Sequence, residues 1–398
     1  MSSMMVPNYR MSFKSKFLLF AFIAVGALCL QLTHTENATK AWFSYLTGSV
    51  FFLGFGLCGL FFTAIQHITS AKWSVSLRRI MEAMALTLPV AGILGIGIYM
   101  GIHHLYEWSH PSAVQGDVLL EWKAPFLNEK FFTIRLIAYF SIWTLSAAYL
   151  IRNSFRQDQS GDEKLTLKSR RGSAIILILF ALSTTLAAFD ILKSIEPHWF
   201  STMFGIHFFA GFFQAGLAMI IFLAWALYSS GTLKNFVNMD HFYELAKFLY
   251  GFSIFWGYIA FSEYMLIWYA NLPEETFWFI QRTSHGWEWV AIALLLLRLF
   301  IPMLVLLPYG SKRNFKILLP VCALVLIGQW LELYWFTMPA MRLMDHTDFV
   351  AFSMGWKDIG IGLGFISLFV LVVSFIMEKI RMVPTGDPDL EASIHHHV

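Results

Sequence analysis

Residues 42–60 read WFSYLTGSVFFLGFGLCGL, and residues 199–217 read WFSTMFGIHFFAGFFQAGL. At a constant offset of 157, ten of these nineteen positions are identical with no gap: Trp, Phe, Ser, Gly, Phe, Phe, Gly, Phe, Gly and Leu. Any two Phe- and Gly-rich membrane helices share some residues by chance. An ungapped match that keeps the opening Trp-Phe-Ser reads instead as a duplication. The shared glycines allow close helix approach. Where the copies differ, His207 stands out, because the other copy has no residue of that kind.

The chain around this repeat is built for a membrane. It has 398 residues, 58% hydrophobic and 17% aromatic, with only 13% charged, against about 25% in soluble domains. Its mean hydropathy is +0.62. Ten apolar runs are long enough to cross a bilayer: about 17–33, 41–68, 80–102, 131–151, 172–193, 200–228, 241–270, 284–307, 315–336 and 356–378. Backbone groups in lipid must be satisfied within the segment, so these runs are expected to be helices.

Charge sets the expected orientation. With ten spans, one set of connections and ends holds 18 Lys and Arg, and the alternate set holds 7. The positive-inside rule then puts both termini in the cytoplasm. Runs 2 and 6 are four spans apart and point the same way, so the repeat is parallel. The expected fold is an all-α polytopic membrane protein with ten transmembrane helices. They form two parallel-repeat four-helix bundles (helices 2–5 and 6–9) flanked by helices 1 and 10, both termini cytoplasmic. The corresponding divisions are 1–40 (N-terminus and first helix), 41–196 and 197–337 (the two bundles), 338–380 (an external loop and the tenth helix) and 381–398 (a disordered tail). Lys14 and Lys16 before the first apolar run read as an uncleaved signal anchor. The polar loop 152–171 reads as mobile, and the external loops 103–130 and 337–355 as docking surfaces.

Several function classes are excluded or disfavoured. A net charge of +3, spread by topology, does not suggest nucleic acid. The three cysteines, Cys29, Cys58 and Cys322, are far apart, with no CxxC or CxxCH spacing for a covalent haem or an Fe–S cluster. Facing histidines at matched depth for b-type haem are missing. No zinc motif, Walker A or GxGxxG is present, so no metal site is expected. An independent transporter is disfavoured, because the repeat is parallel.

The ionisable residues inside the spans fall into two groups. The outer group is His207, Asp190, Glu263, Arg135 and Glu332, with Tyr264 beside Glu263. An apolar, aromatic slot with a His or carboxylate suits a quinol, whose protons must leave as its electrons do. The short link between Asp190 and His207 is expected to bring them together. The bland alternative is local pairing, for instance Asp190 with Lys193. The inner group is Glu82, Glu244, Lys247 and Arg298. Glu244, Tyr258 and Ser262 share one stripe of helix 7 and suggest a proton path, the alternative being hydroxyls bonded to backbone carbonyls. Arg298 is expected to pair with Glu82 or Glu244. After the helix break at 271–273, Asn271, Glu274 and Glu275 read as a docking rim.

The stretches 42–83 (WFSYLTGSVFFLGFGLCGLFFTAIQHITSAKWSVSLRRIMEA), 189–211 (FDILKSIEPHWFSTMFGIHFFAG) and 260–276 (AFSEYMLIWYANLPEET) resemble the ActF-type membrane subunits of bacterial alternative complex III, a quinol:cytochrome c oxidoreductase. Those subunits are similar to the polysulfide-reductase, NrfD-like membrane family. The resemblance covers about residues 40 to 380. It implies a multi-pass protein of the bacterial inner membrane beside a paralogous NrfD-like membrane subunit. It also implies periplasmic partners carrying multihaem cytochrome c and Fe–S clusters. This chain would hold no redox cofactor of its own, with quinone or quinol as its possible ligand. The expected function is to line a quinol site in the periplasmic half, a proton path, or both. The alternative is a non-catalytic subunit that docks the haem and Fe–S partners.

Overall fold

The computed structural model describes residues 9–397. The first eight residues of the expected N-terminal segment, and Val398, lie outside the described residues. Among the described residues, ten helices are long and apolar enough to cross a membrane: α1 (Phe13–Glu36), α2 (Ala38–Ile68), α3 (Lys72–Met100), α4 (Glu129–Ser160), α5 (Lys164–Ile195), α6 (Phe204–Ser229), α7 (Met239–Ala270), α8 (Trp287–Val305), α9 (Phe315–Asp345) and α10 (Trp356–Lys379). The described residues contain helices and no strands. The chain is a multi-pass, all-α membrane protein, and each predicted run falls within or beside one observed helix.

Ten antiparallel passes put both termini at one end, where Lys16 Nζ lies 2.8 Å from Glu378 Oε2. The opposite end carries the longer connections 101–128, 271–286 and 346–355, and is called the loop end below. The two helices that carry the matched stretches are the most enclosed, α2 with 89% and α6 with 83% of its apolar window buried. They pack on each other at the centre, and α3, α5, α7, α9 and α10 surround them. Their contact is close because glycine faces side chain: a Cβ on Gly216 would sit 2.2 Å from Cys58 Sγ. α1 packs mainly against α10, and there Gly26 meets Gly364 backbone to backbone.

Local chemistry sets the ends. Asn128 and Asn37 cap α4 and α2 by accepting backbone N–H groups. α7 ends with Asn271 in the left-handed region (φ 50°), its N–H donating to Ile267 O, and Pro273 then opens the short helix Pro273–Arg282.

Two expectations are corrected here. The loop 152–171 is mostly helix, since α4 runs to Ser160 and α5 begins at Lys164 around a left-handed Gly161. Asp158 holds it by an ion pair to Arg79 and by accepting the Gly386 N–H. The segment 381–398, expected as a disordered tail, is a packed strap through residue 397. Met382 and Val383 are buried, Asp387 pairs with Arg78, and Ser393 Oγ donates to Trp73 O at 2.7 Å. Its polar composition concealed one apolar pair and one anchoring charge.

The glycine contacts make a test. A Cβ at Gly364 would lie 2.8 Å from Gly26 Cα, whereas one at Gly251 meets nothing within 4 Å. Gly364→Ala is expected to destabilise the protein by about 1–3 kcal/mol through forced separation of α1 and α10. Gly251→Ala is expected to be neutral or stabilising. Unfolding of both variants in mixed detergent micelles checks the contrast.

Candidate functional site

A continuous polar network runs from the loop end into the middle of the α6–α9 helices. It begins at Ser201, just before α6, whose Oγ donates to Glu263 Oε1 at 2.5 Å. Glu263 Oε2 lies 2.7 Å from His207 Nδ1. The other imidazole nitrogen, Nε2, is 3.2 Å from Glu332 Oε1. That contact has ion-pair distance but not hydrogen-bond geometry, and among the described residues Nε2 has no other partner. Trp256 Nε1 donates to the same Glu332 oxygen at 2.5 Å. Glu332 Oε2 accepts from Arg298 Nη1.

Arg298 is clamped on every side. Its Nη2 donates to Gly211 O at 2.7 Å and its Nε to Gln214 Oε1 at 2.9 Å. Gln214 Nε2 donates to Arg298 O at 2.7 Å and to Ser253 Oγ at 2.8 Å. The free carbonyl has a backbone cause. Pro302 has no N–H to bond four residues back, and α8 widens to a π-helix over Leu295–Phe300, so Arg298 O is left open for the side chain. Gly211 has a steric cause: a Cβ there would lie 2.5 Å from Glu332 Oε2.

The network is enclosed and deep. Arg298 is fully buried, Glu263 and Glu332 are 1% exposed and His207 is 4% exposed. Arg298 lies eleven residues from the start of α8 and Gln214 ten from the start of α6, or about 15 Å at 1.5 Å per residue. That is half of a hydrocarbon core about 30 Å thick. Arg298 therefore belongs with the loop-end group, and its partner is Glu332. The expected pairing with Glu82 or Glu244 is not formed.

The other sequence-predicted residues separate. Asp190 does not join His207. It accepts a two-pronged hydrogen bond from Arg135, at 2.7 and 2.9 Å, and a third from Tyr139 Oη at 2.6 Å. Direction decides this, since Asp190 faces α4 while His207 faces α7 and α9. Tyr264 is 41% exposed and packs edge-on to Phe279, outside the network. At the termini end, Glu82 is buried against Arg79 at 2.6 Å. Glu244 pairs with Lys247 at 2.8 Å on the outer face of α7. Tyr258, on the same stripe, is 64% exposed and Ser262 is half-buried. The stripe faces away from the bundle rather than into its interior. Asn271 and Glu274 are exposed and Glu275 is half-buried at the rim.

Sequence reading missed Gln214, Trp256, Ser253 and Ser201. One signal was available: Gln214 follows His207 by seven residues, two helical turns on the same face. At the repeat offset of 157 their counterparts are Val50 and Leu57, both apolar. It also missed a second buried pair. Arg282 Nη2 donates to Glu196 Oε2 at 2.6 Å and to Phe336 O at 2.8 Å, with the guanidinium over the Trp278 ring. The 101–128 connection folds over α5, where Tyr106 Oη and Trp108 Nε1 donate to Ile191 O and Ser194 O. In this cap Asp117 sits 2.7 Å from His198. The Leu120 N–H holds the Asp117 carboxyl below the usual range, against burial and with help from His198.

Beside Asp190 a pocket of about 310 Å³ opens among Trp122, Phe126, Phe189, Lys193 and Trp199. No protein-family model and no curated protein matches this chain.

Removing one side of the central pair strands the other charge in a buried site. Arg298→Met is expected to destabilise by about 3–5 kcal/mol, and Glu332→Met similarly. The double variant is expected to lose much less than the sum, because neither charge is then orphaned. A double-mutant cycle in micelle unfolding measures this, and strict additivity would contradict the pairing.

Proposed function

We propose that this chain is an integral membrane subunit of a respiratory quinol:cytochrome c oxidoreductase complex, and that its own part is a proton relay in the membrane half at the loop end. The observation that carries the relay is the imidazole of His207 set between two buried carboxylates, Glu263 and Glu332, on three helices. Placement in the complex is supported by the resemblance of residues 42–83, 189–211 and 260–276 to its ActF-type, NrfD-like membrane subunits. On this reading the protein lies in the bacterial inner membrane with both termini in the cytoplasm. α2–α5 and α6–α9 are the two copies of a parallel repeat, and the loop end faces periplasmic cytochrome c and Fe–S partners.

The chemistry follows from proton inventory. Arg298 keeps its charge and pairs with Glu332. One exchangeable proton then remains between His207 and Glu263. The pair is imidazolium–carboxylate or imidazole–carboxylic acid, and both forms have the same net charge. An imidazole accepts a proton at one nitrogen and releases one from the other. His207 can therefore pass a proton between Glu263 Oε2 and Glu332 Oε1. Ser201, bonded to Glu263, is the exit toward the loop end. Chains of Glu and His inside membranes are a common form of proton relay. Every group in this chain is enclosed, so quinol does not touch it directly.

A second reading concerns quinol itself. The pocket beside Asp190 has aromatic walls and opens outward, which suits a quinol ring. Asp190 already accepts three hydrogen bonds from Arg135 and Tyr139, which limits it as a proton acceptor. The pocket thus supports binding more than chemistry.

The test uses the assembled complex in native membranes. Affinity purification of the tagged chain is expected to bring down haem c and Fe–S subunits, and a haem-free product would remove the assignment. In the intact complex, Glu263→Gln and His207→Ala are expected to slow quinol-dependent proton release about tenfold or more while subunit composition is kept. Unchanged release in both variants would show that the relay lies elsewhere.

A further inference from the structure

A groove of about 610 Å³ lies where α4 and α5 leave the apolar zone at the termini end. Tyr149, Lys164, Leu167, Lys168, Arg171, Gly172 and Ile175 form its walls. Three of these are cations, one face of α5 carries them at spacings of four and three residues, and all three are exposed. None of Lys164, Lys168 and Arg171 has a carboxylate within 4 Å among the described residues, whereas the nearby Arg78 and Arg79 are both paired. Tyr149 stands over the groove floor. Its ring fills the space that a Cβ on Gly172 would take (2.3 Å), and its hydroxyl donates to Lys168 O at 3.2 Å. Directly along the same face of α5, toward the middle of the membrane, lie Ile175, Ile178 and Leu182, each more than 60% exposed.

We infer that this groove binds the phosphate of an anionic phospholipid, with the acyl chains lying along Ile175, Ile178 and Leu182. Three unpaired cations at the water boundary above an exposed aliphatic strip match the two parts of such a molecule. A basic connection that merely obeyed the positive-inside rule would not need its cations aligned with that strip. Basic pockets between membrane helices at this level recognise phosphorylated lipid head groups, and each Lys or Arg near the surface contributes about 1 kcal/mol. A lipid here ties α4 to α5 at their shared turn, next to the Asp158 contact that also holds the C-terminal strap.

The experiment measures thermal unfolding of the full-length protein in detergent during titration with defined lipids. Cardiolipin or phosphatidylglycerol is expected to raise the unfolding temperature saturably. Phosphatidylcholine and inorganic phosphate are expected to have little effect at equal concentration. In Lys168→Gln/Arg171→Gln the apparent affinity for the anionic lipid should fall about thirtyfold, the effect of two lost cations. The control Lys234→Gln/Lys316→Gln removes two exposed cations elsewhere and should leave it unchanged. All four substituted side chains are exposed, so both variants should fold. An equal response to phosphatidylcholine would overturn the inference, since the site would then read only acyl chains. Saturation by inorganic phosphate would overturn the lipid as ligand, and equal loss in the control variant would overturn the location.

Discussion

The structure depends on a guanidinium placed near the middle of the bilayer. Taking an ion out of water is costly by several kcal/mol even after relaxation, and a single counter-ion does not offset this unless the remaining donors are also satisfied. Arg298 meets that condition with three separate acceptors: Glu332, Gly211 O and Gln214. Each acceptor fixes something else. Glu332 excludes any side chain at position 211, Gln214 must reach both the side chain and the carbonyl of Arg298, and the carbonyl is free because Pro302 and the π-helix leave it without a backbone donor. The relative placement of α6, α8 and α9 is therefore set by one charge. Such a pair adds little net stability over apolar residues, so what it supplies is the fixed placement of these helices.

The same economy governs the loop end. Arg135 pairs with Asp190, Arg282 with Glu196 and Arg298 with Glu332, each in near-complete burial. Guanidinium groups do not release protons. The three guanidinium groups are therefore fixed charges, and each pair holds helices together. Glu263 differs because its strong partner is an imidazole. Of these four carboxylates, it is the one whose partner can exchange a proton with it over 2.7 Å. The chemistry of the proposed relay rests on that contrast in partner type, not on burial alone.

The helices were legible in the sequence and the partnerships were not. Hydropathy over twenty residues is a property of the chain itself, so all ten helices were readable, as was the helix break at Asn271-Leu272-Pro273. His207 and Glu263 were readable as costly residues in an apolar setting. Which carboxylate meets which cation depends on the direction of each side chain about its helix. Asp190 and His207 flank one short link, yet their helices turn them to different neighbours. Arg298 was grouped with the termini end, although eleven residues at about 1.5 Å each from the loop-end start of α8 put it near the middle of the membrane, and its partner depended on side-chain direction. The strap at 382–397 was missed because its short buried apolar run, Met382-Val383-Pro384, is too brief to register as a core segment.

The matched stretches explain why one half of the protein carries the deep network. α6 presents His207, Gly211 and Gln214 on one face. At the offset of 157, α2 presents Val50, Gly54 and Leu57 in the same positions. The backbone requirement at the middle position, a glycine, is common to both. In α6 the missing Cβ admits a carboxylate, and in α2 it admits the Phe212 side chain of α6, 2.8 Å from where a Cβ would be. The apolar face of α2 thus packs on the back of α6 and keeps water away from it. With its rear closed in this way, the polar face of α6 turns to α7, α8 and α9, where the network forms. A polar side chain at Val50 or Leu57 would place an unpartnered group in that seal, so the two faces are complementary parts of one arrangement.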